Sequence, residues 1–347
     1  MNAVDMKDVF AALHLTVLQR DWLSANNVVF TGPEATQRSV GTLGAVGGTG
    51  AEVVAAAGGA AGAAVAVVDT GYDAHREQTV ALVEQVLAEH GGGRPLELIV
   101  NTHLHSDHCG GNSALQARWP TARTLVPEGD FEGAKSWDEE HLTFALTGQN
   151  CRRFRVDAAL RSGQSIVLGA HAWQVHATPG HDPDAVVLFE PQHRVLISGD
   201  ALWRNRVGVI FPELDDEAGF EPALAALDVI ERLDPAWVIP GHGAPFAEVA
   251  DALAISRKRL RTLQADPALH ARHSARVMLM FHMMEMRQRP REVVRSWLAQ
   301  TPLMHRPAVT RLLGMSPQAL SEVIVQSLLD DGALVDDGEF IRLPVGA

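Results

Sequence analysis

Apolar positions recur in short blocks through the first two thirds of the chain and in longer helical periods after it. Residues 25–31 read as an extended strand, and residues 65–69 as a short apolar strand running into Asp69-Thr-Gly. Residues 79–89 carry helical periodicity closed by Gly91-Gly92-Gly93, and residues 96–101 form another buried strand. The alternation continues with strands at 166–168, 173–177, 185–189 and 195–198, a helix over 222–232 and a strand at 237–239. Strand and helix signals in this succession predict a mixed α/β layered domain. Between its early strands, residues 41–64 are dominated by Gly and Ala with no surviving period, which predicts a hairpin tip or loop. That segment contains no G-x-x-x-x-G-K-[ST], so its glycines do not announce a phosphate cradle.

Beyond about residue 255 the texture changes. Helical patterns fill 251–264, 271–287, 291–299 and 317–329, and residues 332–343 alternate around the turn signal Asp336-Asp337-Gly338. Helices followed by a terminal hairpin describe a smaller, mainly helical, winged-helix-like module. Charge shifts at the same place. Residues 256–347 hold 13 Lys and Arg against nine Asp and Glu, whereas residues 1–255 hold 16 against 33. The expected organisation is a catalytic domain over 1–255 and the winged-helix-like domain over 256–347.

The net charge of −13 argues against a dedicated nucleic-acid or membrane-surface binder. With 46% hydrophobic residues over 347 positions, the chain has ample material for a core. Two cysteines, Cys109 and Cys151, make no disulfide framework. The N-terminal segment lacks a signal-peptide pattern, and the longest uncharged run, 53–68, is too short to span a bilayer. A cytoplasmic protein is the expectation, with a small-molecule substrate, no specific nucleic acid, no membrane and a homo-oligomer as an open possibility.

The chemistry gathers after the strand at 96–101, in Thr-His103-Leu-His105-Ser-Asp107-His108-Cys-Gly-Gly. In an extended segment residues i and i+2 point the same way, so His103 and His105 can face one site. Asp107 and His108 follow where the chain turns, with Gly110 and Gly111 expected to permit a tight bend. Three imidazoles and a carboxylate within six residues suit a borderline-soft divalent cation. Three further signatures stand where strands end: Thr-Pro-Gly-His181, Ser-Gly-Asp200 and Pro-Gly-His242-Gly. Each is weak alone; together, in this order, they are specific.

The combination resembles the metallo-β-lactamase superfamily over roughly residues 20–250, in the glyoxalase II-like and lactonase-like manner. The resemblance implies an αββα sandwich with the site at one edge of the paired sheets. It implies that His103, His105 and His181 bind a first metal, that Asp107, His108 and His242 bind a second, and that Asp200 bridges them. Asp69 is similar to the carboxylate that orients such a site. Two divalent ions, zinc first and iron or manganese also suited to the donors, would share a hydroxide that attacks a small ester, thioester or lactone. Asp107 is the expected proton-handling catalytic group.

Within that family, His105 stands where the oxygen-reducing branch has Glu, which favours hydrolysis; an iron persulfide dioxygenase keeps the all-His spacing and stays as a minor alternative. Lactonases of the family usually place Tyr shortly after the bridging Asp, where this chain has Trp203. No clear equivalent appears of the basic and Tyr anchor that hydroxyacylglutathione hydrolases use. A metal-dependent endoribonuclease is the main alternative, but residues 317–329 contain Glu322 and no Lys or Arg. The basic run Arg257-Lys258-Arg259-Leu-Arg261 reads as a solvated helix face, and 256–347 as a cleft wall or an oligomer contact. His171, His176 and His193 lack ligand spacing, the Met-rich stretch 278–286 reads as helix core, and Asp182 and Asp184 stand close enough to His181 to approach the site.

Overall fold

Strands with no polar position must be covered on both faces, and that requirement organises the molecule. The computed structural model describes residues 5–33, 53–54 and 64–344. The Gly/Ala-rich segment expected as a loop at 41–64 lies outside them, apart from Val53–Val54 and Ala64.

Among the described residues the strands form two six-stranded sheets and one of three strands. The first sheet runs Leu15–Leu18, Asn27–Phe30, Ala66–Val68, Leu98–Val100, Arg123–Pro127, Ala158–Leu160, antiparallel at its first two pairings and parallel after. The second runs Trp237–Pro240, Val195–Gly199, Val186–Glu190, His171–Ala177, Ser165–Leu168, Val53–Val54. Phe30, Val68, Val100, Trp173, Val175, Leu188 and Ile197 fill the space between the two sheets. Alternate residues turn outward: Val65, Val67 and Ile99 meet Val83, Leu87 and Leu115 of helices Arg76–His90 and Asn112–Arg118. On the opposite outer face Val187, Leu196 and Val238 meet Leu227 and Ile230 of helix Phe220–Leu233. The expected four-layer αββα sandwich is therefore present.

Helix Val249–Ala265 packs Ala252, Leu253 and Leu260 into that same outer layer. The boundary expected at residue 255 falls inside this continuous helix, so its packing groups all of it with the sandwich. From Pro267 a separate core begins. Helices Pro267–Met286, Arg291–Gln300, Pro307–Leu313 and Pro317–Asp330 enclose Leu279, Val294, Leu298, Ile324 and Leu328 with the sheet Gln288–Pro290, Phe340–Arg342, Val335–Asp336. Val209 and Leu214 of the sandwich enter the same cluster. Polar contacts fasten the junction: Tyr72 Oη donates to Glu285 Oε2 at 2.9 Å, Ile210 N donates to His270 Nε2 at 3.3 Å, and Arg306 and Arg311 pair with Asp215 and Asp216. Burial pulls the His270 imidazole down to about 4, which leaves it neutral and able to accept. No described helix is long and apolar enough to cross a membrane.

Candidate metal centre and its cleft

Every residue picked from the sequence as a ligand lies at the same edge of the sandwich, in the segments that follow strand ends. His103 and His105 follow Leu98–Val100, and Asp107 and His108 sit in the short helix Ser106–Cys109. His181 comes after His171–Ala177, Asp200 directly after Val195–Gly199, and His242 after Trp237–Pro240. Two sets of donor atoms converge, each within 4.8 Å: His103, His105 and His181 in one, Asp107, His108, Asp200 and His242 in the other.

In the first set, His105 Nδ1 lies 3.1 Å from His103 Nε2 and 2.8 Å from His181 Nε2. Burial pulls His105 and His181 down to about 4, and His103 well below its ordinary range. With three neutral imidazoles turned on one another, a single proton on His105 Nδ1 would have to be shared between His103 Nε2 and His181 Nε2. A shared cation serves all three: ligands about 2.0–2.1 Å from a tetrahedral zinc stand roughly 3.3 Å apart. His181 is held in this pose by donating Nδ1–H to the carbonyl of Val209.

In the second set, His242 Nε2 lies 3.0 Å from Asp107 Oδ2. His108 donates Nδ1–H to Asp69 Oδ2 at 2.8 Å, which turns its buried Nε2 toward the carboxylates of Asp200 and Asp107. Burial opposes charge on His108, but Asp200, Asp69 and Asp107 outweigh it and hold the imidazole well above its ordinary range. Three buried carboxylates around one ring demand positive charge there, as a proton or as a metal ion. The donor set thus fits divalent cations on both sides. Asp200 spans the two: its Oδ2 is 3.4 Å from His181 Nε2 and its Oδ1 is 3.2 Å from His108 Nε2.

Asp69 is buried at φ +55° and also accepts from Thr102 N and Thr102 Oγ1, both at 2.9 Å. Gly110 has an ordinary helical φ of −61°, so the bend expected of it is not its reason. A Cβ there would stand 2.3 Å from the backbone nitrogen of Asp73, so glycine is set by close approach of the chain. At Gly241 a Cβ would stand 2.2 Å from Asp200 Oδ1. Of the flanking acids, Asp182 reaches the centre, 3.7 Å from His105 Nε2, and burial pushes it up to about 6. Asp184 turns to Asp130 and His141 instead. His176 stays remote, bonded to Gln174, while His171 and His193 flank Glu190 far along the strands. Cys109 is fully buried, with its Sγ 3.8 Å from that of Cys151.

The sequence pointed to residues 256–347 as a cleft wall or an oligomer contact, but not to the side chains that line the cleft. A cleft of about 1350 Å³ opens over His105, Asp107, His181, Asp200 and His242. Trp22 stacks on His242 with 5.4 Å between centroids and an interplanar angle of 10°, and Trp203 donates its indole N–H to Asp200. The opposite wall is helix Pro267–Met286, which presents Val277, Met280 and Met284. The Met-rich stretch is therefore divided: Met278 and Met283 are buried in the C-terminal core, whereas Met280 and Met284 are half-buried against it. No periodic signal in residues 278–286 separates those roles, because both faces of that helix are apolar.

Residues 59–242, just over half of the chain, match the Metallo-beta-lactamase superfamily. Among curated proteins, the chain is 33% identical over 192 residues to the Hydroxyacylglutathione hydrolase of Anaeromyxobacter dehalogenans, covering 52% of this chain and 64% of that protein. It is 28% identical over 177 residues to the human Acyl-coenzyme A thioesterase MBLAC2, covering 48% and 62%. The chain thus spans somewhat under two thirds of these relatives. A metallo-beta-lactamase family protein from Thermus thermophilus shares the fold at a TM-score of 0.50 and 20% identity, over 95% of this chain and 99% of that one. The match across the strands and ligand segments agrees with the sandwich and its two donor sets, and the chain belongs to the metallo-β-lactamase superfamily.

Proposed function

We propose that the chain is a metal-dependent hydrolase of small acyl thioesters, with esters and lactones as related substrates. In this reading His103, His105 and His181 hold one ion, Asp107, His108 and His242 hold another, Asp200 serves both, and Asp69 orients His108. The carrying observation is the span of Asp200, whose two oxygens reach the two donor sets at 3.4 and 3.2 Å. Relatives named as a hydroxyacylglutathione hydrolase and an acyl-CoA thioesterase support the thioester class. Zinc is the proposed resident, from three imidazoles on one side and mixed imidazole and carboxylate donors on the other.

When bound, such ions polarise the substrate carbonyl and lower the pKa of water. The chain's residues supply the rest. Asp107 lines the cleft at the edge of the second donor set, where its carboxylate can take a proton from the attacking water and pass it to the leaving thiolate. Trp22 and Trp203 flank His242 and shield this edge from bulk water. The wall from Pro267–Met286 leaves an apolar space for the acyl group.

The C-terminal unit, expected over 256–347 and beginning at Pro267 by its packing, stays winged-helix-like in this proposal, acting as a cleft wall and not as a nucleic-acid reader, in a cytoplasmic protein. The test is a panel of thioester, lactone, ester, β-lactam and phosphodiester substrates on zinc-reconstituted protein. Thioester turnover abolished by a chelator is the expected result. Turnover confined to phosphodiesters would overturn it.

A further inference from the structure

The protein carries a net charge of −13, yet the only carboxylates among the described residues lining the cleft are Asp107 and Asp200, both in the candidate metal centre. The outer part of the same cleft is lined by Arg206, Lys258, Arg259 and Arg276. Arg276 has an anionic partner, with Nη2 2.6 Å from Asp331 Oδ2. Arg206, Lys258 and Arg259 form no ion pair among the described residues. Their neighbour Arg257, on the same helix as Lys258 and Arg259, is tied to Asp228 and Glu231 at 2.7 Å. The basic run thus splits into a neutralised side and a side left open to the cleft. Arg206 lies over Trp22, its guanidinium carbon 4.8 Å from the ring centroid, and Trp22 stacks in turn on His242. The cations therefore begin one aromatic ring away from the metal centre.

They also converge. Burial, followed by Arg276, Arg259 and Arg206, pulls the His273 imidazole below its ordinary range, so one ring feels all three guanidiniums. Facing them, Leu269 and Val277 are exposed at 39% and 38%, and both line the cleft beside Met280 and Met284. Exposed apolar side chains across from unpaired cations describe a surface built for a two-part ligand.

Building on the proposed hydrolase, we infer that its substrate is an acyl thioester whose thiol carrier bears phosphate groups, the phosphates seated on Arg206, Lys258 and Arg259 and the acyl chain against the Met-lined wall. Several unpaired cations suit a polyanion with phosphate charge better than the single net charge of a small peptide thiol. A long RNA is less favoured. Its backbone needs an extended basic track, and helix Pro317–Asp330 contains no Lys or Arg. Hydrolysis is balanced by water alone: the carbonyl–sulfur bond breaks, a carbonyl–oxygen bond forms, and the water's protons leave with the acid and the thiol.

Binding is measured first, because it requires no turnover. Calorimetry compares coenzyme A with pantetheine, which shares the thiol arm and lacks the nucleotide phosphates. Wild-type protein is expected to bind coenzyme A at least about tenfold more tightly, with the advantage shrinking as salt is raised. The triple variant R206Q/K258Q/R259Q should lose that advantage, while R261Q, on the same helix but outside the cleft lining, should keep it. Turnover of butyryl-coenzyme A against S-butyryl-N-acetylcysteamine then reads the same ratio in KM, with kcat little changed by the triple variant. Equal binding of coenzyme A and pantetheine, or equal KM for the two thioesters, would overturn the phosphate assignment and leave the hydrolase standing. Phosphate-dependent binding without turnover of either thioester would overturn the hydrolase reading instead, and with it the assignment of this ligand as substrate. Metal-dependent cleavage of single-stranded RNA at these cations would overturn both.

Discussion

Trp203 donates its indole Nε1–H to Oδ1 of Asp200 at 3.1 Å, and its ring meets His242 edge-on at 5.4 Å between centroids. The residue that looked in the sequence like a departure from a tyrosine pattern thus holds the carboxylate that spans the two donor sets. A hydrogen bond from outside to a ligating carboxylate fixes which lone pairs it offers, and losing such a contact typically costs about 10–100-fold in metal affinity or activity. Trp203→Phe keeps the ring and removes the donor. We expect weaker retention of one metal equivalent, by about tenfold, and a fall in kcat, while Trp203→Leu should be worse. Competition titration with a chromophoric chelator measures it; unchanged affinity in Trp203→Phe would make the contact incidental.

Asp200 itself should be indispensable. Wild-type protein reconstituted with zinc is expected to hold about two equivalents and Asp200→Ala no more than about one, with turnover down by at least about a hundredfold. His176→Ala, remote and bonded to Gln174, should match wild type in both. Elemental analysis of desalted protein decides, and a wild-type value fixed near one would end the two-ion reading.

Acid should strip the two sides in order. His105 and His181 lie at about 4, so at neutral pH they are already unprotonated and bind a cation without losing a proton. His108 is held well above its ordinary range, so a cation on its side must displace a proton. As pH falls from about 8 to about 6, competition grows at the His108 side only, because His105 and His181 meet it only near pH 4 and burial holds His103 well below its ordinary range. One equivalent should therefore leave first, and calorimetry in buffers of different ionisation enthalpy should show proton release on refilling. Simultaneous loss of both ions at about pH 6 would contradict the assigned order.

Gly241→Ala tests the packing of the centre. A Cβ 2.2 Å from Asp200 Oδ1 must push that carboxylate away, and this spot is surrounded by buried groups. We expect a folded protein, by circular dichroism, that holds less than two equivalents and loses most turnover. Normal metal content and activity would show that the segment relaxes.

The C-terminal unit should not bind nucleic acid with useful strength. Near physiological salt, fluorescence anisotropy with single-stranded RNA and duplex DNA should give no submicromolar binding, since affinity of that kind rests on phosphate neutralisation. Tight, salt-sensitive binding to either would reverse this expectation.

His103 and His105 were legible from their two-residue spacing after a strand, and two of the lone ligands from the glycines beside them. Asp200 follows Gly199 at φ +48°, and His181 follows Gly180 at φ +151°. Strand periodicity found both central sheets for the same kind of reason. The strands Leu15–Leu18 and Ala158–Leu160 went unseen, being short and at the sheet's edges, and Arg123–Pro127 because its Arg-Thr start and Pro end break the apolar run. The cleft was illegible for a different reason. Lys258 and Arg257 are neighbours of one chemical type, and only the third dimension shows that Arg257 meets Asp228 and Glu231 while Lys258 meets no carboxylate among the described residues. Sequence spacing reports what a residue can do; pairing across the fold decides which residues are left to do it.

The far wall of the cleft packs against the metal-binding edge through Val209 and through Tyr72 on Phe281, and is fastened to it at Tyr72–Glu285 and Ile210–His270. Selection can therefore exchange the exposed side chains of helix Pro267–Met286 one turn at a time and redirect the protein to a new acid. His270 and Glu285 would keep that wall in register with a reaction centre the changes never touch.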